Sequence, residues 1–216
     1  MKEFNDKTFD EYMLDARLHI KTIGRIDHYA DDHVYPYEPT TYTVLERIAE
    51  SGLIGEEDHL LDYGCGKART LVYLREKTGC RASGVELMRD FYEEARKNIE
   101  TYEKALCKMR GKDVRIDITH GEAQKFEIPA TVNRIFFFNP FSVEIFESVM
   151  KRVTDSYYES PRNIRLFLYY PQDSYVAALS RMDEVMFFDE IDCRDLFPEK
   201  DERNKVMIFE LGTPSL

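Results

Sequence analysis

The sequence predicts an α/β fold: a largely parallel sheet of seven strands, finished by an antiparallel hairpin and preceded by a helical segment. Three observations carry this. From residue 59 onward, short apolar runs alternate with stretches of helical periodicity. A glycine turn follows directly on the first strand and opens a helix. The last two strands have only a loop between them, 192–204, and should therefore pair as an antiparallel hairpin.

Taken in order, residues 7–26 read as an acidic helix. HVYPYEPT (33–40) is extended, because Pro36 and Pro39 disfavour helix. Thr40 or Thr41 then caps a helix reaching about Ser51. HLLDY (59–63) is a buried strand, followed by the glycine turn and a helix over 67–78. RASGVE (81–86) is the second strand, and a long charged helix runs from Arg89 to Met109. DVRIDIT (113–119) alternates as the third strand. RIFFFN (134–139) is apolar enough to be buried on both faces. VEIFESVMKRV is a helix, IRLFLYY (164–170) the fifth strand and 173–182 a helix. EVMFFDEI (184–191) and KVMIFEL (205–211) close the chain. Strand–helix alternation requires right-handed crossovers. Residues 1–40 are expected to form a cap and 41–216 the main domain.

Charge is the unusual part of the composition. Of 216 residues, 41 are acidic and 30 basic, a net charge of -11. Residues 1–58 hold 14 acidic and 6 basic side chains, whereas the remaining 158 hold 27 and 24. Such a field repels phosphate backbones, so nucleic acid is a disfavoured partner. An acidic cap favours a neutral or cationic one. No apolar run is long enough to span a bilayer, and MKEFNDKTFDEY lacks the apolar core of a signal peptide. Cys65, Cys80, Cys107 and Cys193 form no CxxC or Cys/His cluster, which suggests neither a metal site nor a disulfide framework. A reducing cytoplasm is the expected location.

The chemically informative segment is Leu61-Asp62-Tyr63-Gly64-Cys65-Gly66-Lys67-Ala68. A strand ends on an acid, two glycines allow a ligand close to the backbone, and a helix N-terminus faces the crevice. Open α/β sheets bind ligands at this place. Arg69 stands where a GxGxxG turn would have its third glycine, and Asp62 would repel a pyrophosphate, which disfavours a dinucleotide oxidoreductase. A carboxylate there suits a ligand with an ammonium group. Twenty residues on, Glu86 ends the second strand, placed to accept hydrogen bonds from a ribose diol.

LLDYGCGKA followed by GVE resembles the class I S-adenosylmethionine-dependent methyltransferases, in element order over about residues 35–211. The resemblance implies a Rossmann-like seven-stranded sheet with helices on both faces, and S-adenosyl-L-methionine as cofactor. It implies that Asp62, Gly64, Cys65 and Gly66 hold the methionine moiety, that Glu86 holds the ribose hydroxyls and that Leu87 packs on adenine. Glu122 and Ala123, in His120-Gly121-Glu122-Ala123, match the adenine-recognising position after the third strand. Ala68 replaces a glycine common in the family. Tyr35-Pro36-Tyr37-Glu38-Pro39-Thr40 stands where members close a lid, which places Tyr37 and Thr40 beside the cofactor.

Asn139-Pro140-Phe141 ends the fourth strand at the edge of the implied methyl-transfer site, where Asn139 also borders the cofactor. It is similar to the Asn/Asp-Pro-Pro-aromatic motif of amino-methylating enzymes, with one proline missing. It is also similar to the Asn-Asn-Phe motif of Dot1-like lysine methyltransferases, with Pro140 for the second Asn. Small bacterial methyltransferases share Asp-x-Gly-Cys-Gly-Lys, Gly-Val-Glu and Asn-Pro-Phe in this order. Transfer to a nitrogen of a small molecule or protein is the function implied; a non-catalytic cofactor-binding module of the same fold is the alternative. Glu38, His33, His120 and Tyr37 are candidate bases. Tyr35, Tyr37 and Phe141 are candidates for an aromatic box. Loop residues Arg194-Asp195-Leu196-Phe197-Pro198 border substrate in this fold.

Overall fold

The computed structural model describes residues 6–24, 37–110 and 115–212. The first helix, α1 (Asp6–Arg17), stops nine residues short of the expected end. His19 adopts a left-handed backbone, φ 58°. Ile20 N–H then bonds Asp15 C=O at 2.9 Å and His19 N–H bonds Ala16 C=O at 3.1 Å. This is a Schellman stop with histidine where glycine is usual, which hides it in the sequence. Leu18 and Ile20, beyond the stop, are buried in the same apolar cluster as Leu45, Leu71 and Val72.

Helix α2 (Tyr42–Glu50) starts behind Thr41 and buries Tyr42, Val44, Leu45 and Ile48. From there strand and helix alternate: β1 (His59–Tyr63), α3 (Arg69–Thr78), β2 (Arg81–Glu86), α4 (Arg89–Arg110), β3 (Ile116–His120), β4 (Arg134–Phe137), α5 (Val143–Glu159), β5 (Ile164–Tyr169), α6 (Asp173–Leu179), β6 (Val185–Asp192) and β7 (Lys205–Leu211). Residues 113–114 of the expected third strand lie outside the described residues. β4 is two residues shorter than expected because Asn139 turns left-handed, φ 43°.

The sheet order is β3-β2-β1-β4-β5-β7-β6. The first five strands pair in parallel, and β7 lies between β5 and β6, antiparallel to both. The expected hairpin is therefore present, with its second strand inserted next to β5. Alternate residues of the central strands serve two apolar layers. Leu60, Phe136 and Phe167 pack with α2, α3 and α4, whereas Leu61, Phe137 and Leu166 pack with α5 and α6. The sheet is thus covered on both faces, as parallel sheets require. The order in which strands are added reverses between β1 and β4, which are themselves parallel, so the crevice at their carboxyl ends is the topological switch point. Among the described residues no helix is long and apolar enough to cross a membrane.

Candidate functional site

β1 delivers Asp62 to this crevice at 4% exposure. Burial, with the charge of Glu86 adding to it and the Thr70 hydroxyl opposing, holds the Asp62 carboxyl well above the usual range. The chain then turns sharply, Gly64 and Cys65 N–H both donating to Val85 C=O at 2.9 and 3.1 Å. Gly64, Gly66 and Ala68 have φ of 74°, 52° and 69°. At the two glycines space is as limiting as backbone: a Cβ on Gly64 would lie 2.5 Å from Pro140 Cβ, and one on Gly66 2.5 Å from the Tyr37 ring. Ala68 is a left-handed residue in front of α3, so its alanine is less innocent than a helix N-terminus would make it.

Glu86 ends β2 at 6% exposure. Its two oxygens accept Gly66 N–H at 2.8 Å and Met88 N–H at 2.7 Å, tying the turn to the strand end. Burial raises its pKa while those amides oppose the rise. The carboxylate lines the crevice, where a remaining lone pair can accept a ligand hydroxyl.

Tyr37 covers the glycine turn. Its hydroxyl donates to Thr22 C=O at 2.7 Å, its ring centroid lies 4.8 Å from that of Phe91, and Lys67 Nζ sits 5.1 Å from the ring. Burial raises the Tyr37 hydroxyl far above its ordinary range, which argues against Tyr37 as a base.

The opposite edge is built from the ends of β4 and β5. Phe138 packs against Tyr169 with ring centroids 4.6 Å apart and the rings tilted by 50°, and Asn139 Nδ2 donates to Tyr170 C=O at 2.7 Å. Phe141 lines the crevice but is only 6% exposed, packed among Tyr63, Phe137 and Tyr175. Its carbonyl accepts the Tyr175 hydroxyl at 2.5 Å. On the far side Leu87 is 45% exposed, and Glu122 binds Gln124 Nε2 and Lys125 Nζ at 3.0 and 2.7 Å within one turn.

These residues enclose a cavity of about 350 Å³. It is lined by every expected site residue: Tyr37, Thr40, Asp62, Gly64, Cys65, Gly66, Glu86, Leu87, Glu122, Ala123, Asn139, Pro140 and Phe141. Of the candidate bases, Glu38 and Tyr37 line it. His120 does not; its Nε2 contacts Leu87 C=O at 3.1 Å and its ring faces Tyr92. His33, Tyr35 and Pro36 lie outside the described residues. The loop at Arg194–Pro198 is also absent from the lining; Asp195 there pairs with Arg47 of α2. Sequence reasoning missed Phe91, Phe138 and Arg69 as wall residues. The first two looked like core positions, and Arg69 like a departure from a glycine motif.

Among the described residues, four acids of the first quarter of the chain pair with cations of the core domain. Glu11 and Asp15 face Arg69, Glu46 holds Lys77, and Asp58 holds Arg134 at 3.1 Å. Their charge is thus partly neutralised by the core itself and does not exclude a phosphate-bearing acceptor.

No family model matches the chain. Over 99 residues, 46% of its length, it is 31% identical to a histone-lysine N-methyltransferase, H3 lysine-79 specific, from Dictyostelium discoideum. The matched part spans only 5% of that relative. Among solved structures it is similar to a human methyltransferase 10 domain containing protein, with TM-score 0.59 at 11% identity over 95% of both chains. It is also similar to an RNA methyltransferase from Salinibacter ruber in complex with S-adenosyl-L-homocysteine, TM-score 0.52 at 16% identity over 83% of this chain and 97% of that one. A TehB-like SAM-dependent methyltransferase from Corynebacterium glutamicum gives TM-score 0.55 at 13% identity, over 78% and 88%. At these identities the likeness is one of fold.

Proposed function

We propose that this fold serves as an S-adenosyl-L-methionine-dependent methyltransferase acting on a nitrogen of a small molecule or protein. The observation that carries the reading is the convergence of Asp62, the Gly64/Gly66 turn, Glu86 and Asn139 on one cavity at the switch point of a 3-2-1-4-5-7-6 sheet.

The residues fit such a cofactor. Asp62, buried and with its pKa raised, gains most from a ligand's ammonium group, Glu86 lines the cavity with a carboxylate for a diol, and the glycines let the turn run tightly beneath Pro140 and Tyr37. Leu87 offers exposed apolar surface beside Glu122 and Ala123 for a base. When bound, the cofactor supplies an electrophilic methyl group on a sulfonium. The protein's share is then alignment of the acceptor. Asn139 is suited to it: its Nδ2 is spent on Tyr170, so Oδ1 is the group left for a ligand, an acceptor for an N–H. Pro140 holds the turn against Gly64. Phe141 shapes the wall from within the core and touches the site by one face. The relative that methylates a lysine nitrogen supports the choice of atom, whereas the shared fold of an RNA methyltransferase keeps nucleic acid among the acceptors to be assayed.

Calorimetry with S-adenosylhomocysteine and with NAD tests the cofactor. Heat with the first and none with the second is expected; the reverse sinks the proposal. Transfer of radiolabelled methyl to a panel of small amines, basic peptides and RNA then tests the acceptor. Label in amines or peptides is expected. Label confined to RNA refutes the acceptor assignment, and binding without any transfer favours the non-catalytic alternative.

A further inference from the structure

Arg69, the first residue of α3, is not explained by cofactor binding. It is 3% exposed, directly behind the glycine turn, where a guanidinium needs full compensation. Among the described residues, every polar partner comes from the chain before α2. Arg69 Nε donates to Thr22 Oγ1 at 2.6 Å and Nη1 donates to Glu11 Oε2 and to Thr40 C=O, while Nη2 lies 3.7 Å from Asp15 Oδ1. The guanidinium also sits 4.3 Å from the centre of the Tyr42 ring.

Thr22 is the hub of this group. Its hydroxyl donates to Asp15 Oδ1 at 2.7 Å, its N–H donates to Asp15 Oδ2 at 2.5 Å, and its carbonyl accepts the Tyr37 hydroxyl. Tyr37 in turn lies so close to Gly66 that no side chain fits between them. A continuous path of contacts therefore runs from Arg69 through Thr22 to Tyr37 and returns to the glycine turn at Gly66, three residues from its start.

We infer that Arg69 is a positioning residue for cofactor binding: its buried cation draws the N-terminal segment onto α3 and, through Thr22, sets Tyr37 over Gly66. The inference rests on the proposed cofactor reading. A buried ion pair contributes little net stability compared with apolar packing, so its value here lies in where it places the segment. Two of the acids of the early chain, Glu11 and Asp15, are thereby accounted for as the counter-charges Arg69 needs.

The test is calorimetry with S-adenosylhomocysteine on the full chain, well below the unfolding temperature. It compares wild type, Arg69→Met, Thr22→Val and Tyr37→Ala with the two double variants that include Tyr37→Ala. Arg69→Met and Thr22→Val are each expected to weaken binding roughly tenfold, and to add nothing once Tyr37 is alanine. Unchanged affinity in both single variants overturns the inference. So do losses that persist in the Tyr37→Ala background, because a role in general stability would produce those. Thr22→Val is uncharged and nearly isosteric, so it decides the matter if Arg69→Met does not fold. Absence of heat with wild type overturns the cofactor reading and this inference together.

Discussion

Asn139 and Tyr170 end adjacent parallel strands, both in left-handed conformations (φ 43° and 51°), and the Asn139 amide donates to the Tyr170 carbonyl at 2.7 Å. Two non-glycine residues in this region cost of order 1 kcal/mol or more each. Such strain persists only where the surroundings hold it. Here Tyr170 is fixed by its hydroxyl on Asp201 at 2.5 Å and by Arg203 over its ring at 4.4 Å. The pair fixes which face of the Asn139 amide remains for a ligand.

Asn139→Gly keeps the left-handed backbone without strain and removes only the amide. Methyl transfer is expected to fall about 100-fold through loss of acceptor alignment. Affinity for S-adenosylhomocysteine should fall less than about tenfold, the worth of one hydrogen bond. Equal losses in both would move Asn139 wholly to the cofactor. Steady-state transfer rates and calorimetry separate the two.

Glu86→Gln offers one carbonyl oxygen where two carboxylate oxygens now serve Gly66 and Met88. One backbone amide then faces an NH2 group. We expect affinity for S-adenosylhomocysteine to fall at least roughly tenfold and stability to drop by about 1–3 kcal/mol. Denaturant titration and calorimetry read the two effects. A variant that binds as wild type would remove Glu86 from the cofactor site.

Gly66→Ala meets two obstacles. Its φ of 52° costs an alanine about 1–2 kcal/mol, and its Cβ would press into the Tyr37 ring. Urea unfolding should show more than the backbone penalty in the wild-type background. In a Tyr37→Ala background the backbone penalty alone should remain. An equal cost in both would show that the ring moves away freely.

Asp62 gives a pH dependence of defined sign. Its pKa is raised in the folded state by burial first and by Glu86 second, so the folded ligand-free protein holds this proton more tightly than the unfolded chain. Its contribution is fully present below the unfolded carboxylate pKa and is lost as pH rises through the higher folded value. Asp62→Asn should therefore raise the ligand-free melting temperature at neutral pH, by about 2–4 °C for each kcal/mol relieved, while weakening cofactor binding. Melting curves from acid to neutral pH test it: a difference that shrinks toward neutrality contradicts the assignment.

Most of the fold could be read directly. Periodicity located every strand: central strands buried on both faces are nearly continuous apolar runs, as in Arg134–Phe137, and the edge strand β3 alternates. The end of α1 was not legible, since His19 occupies a turn that the reading reserves for glycine. The site was legible where motif residues follow a strand directly, as Asp62 and Glu86 do. Phe91 and Phe138 were not, because an aromatic residue that lines a cavity has the same sequence pattern as one in the core.

The order of elements, the glycine turn and its two acids followed from local sequence alone, because backbone preference and hydrophobic period act within a few residues. Three matters were decided only in three dimensions. β7 enters between β5 and β6 because the sheet, and not chain order, provides its hydrogen-bonding partners. Phe141 becomes a wall that is mostly core, because Tyr175, 34 residues away, takes its carbonyl. Glu11 and Asp15 become counter-charges for Arg69, because a cation at 3% exposure selects partners by distance and burial, and neither of these is written in the order of residues.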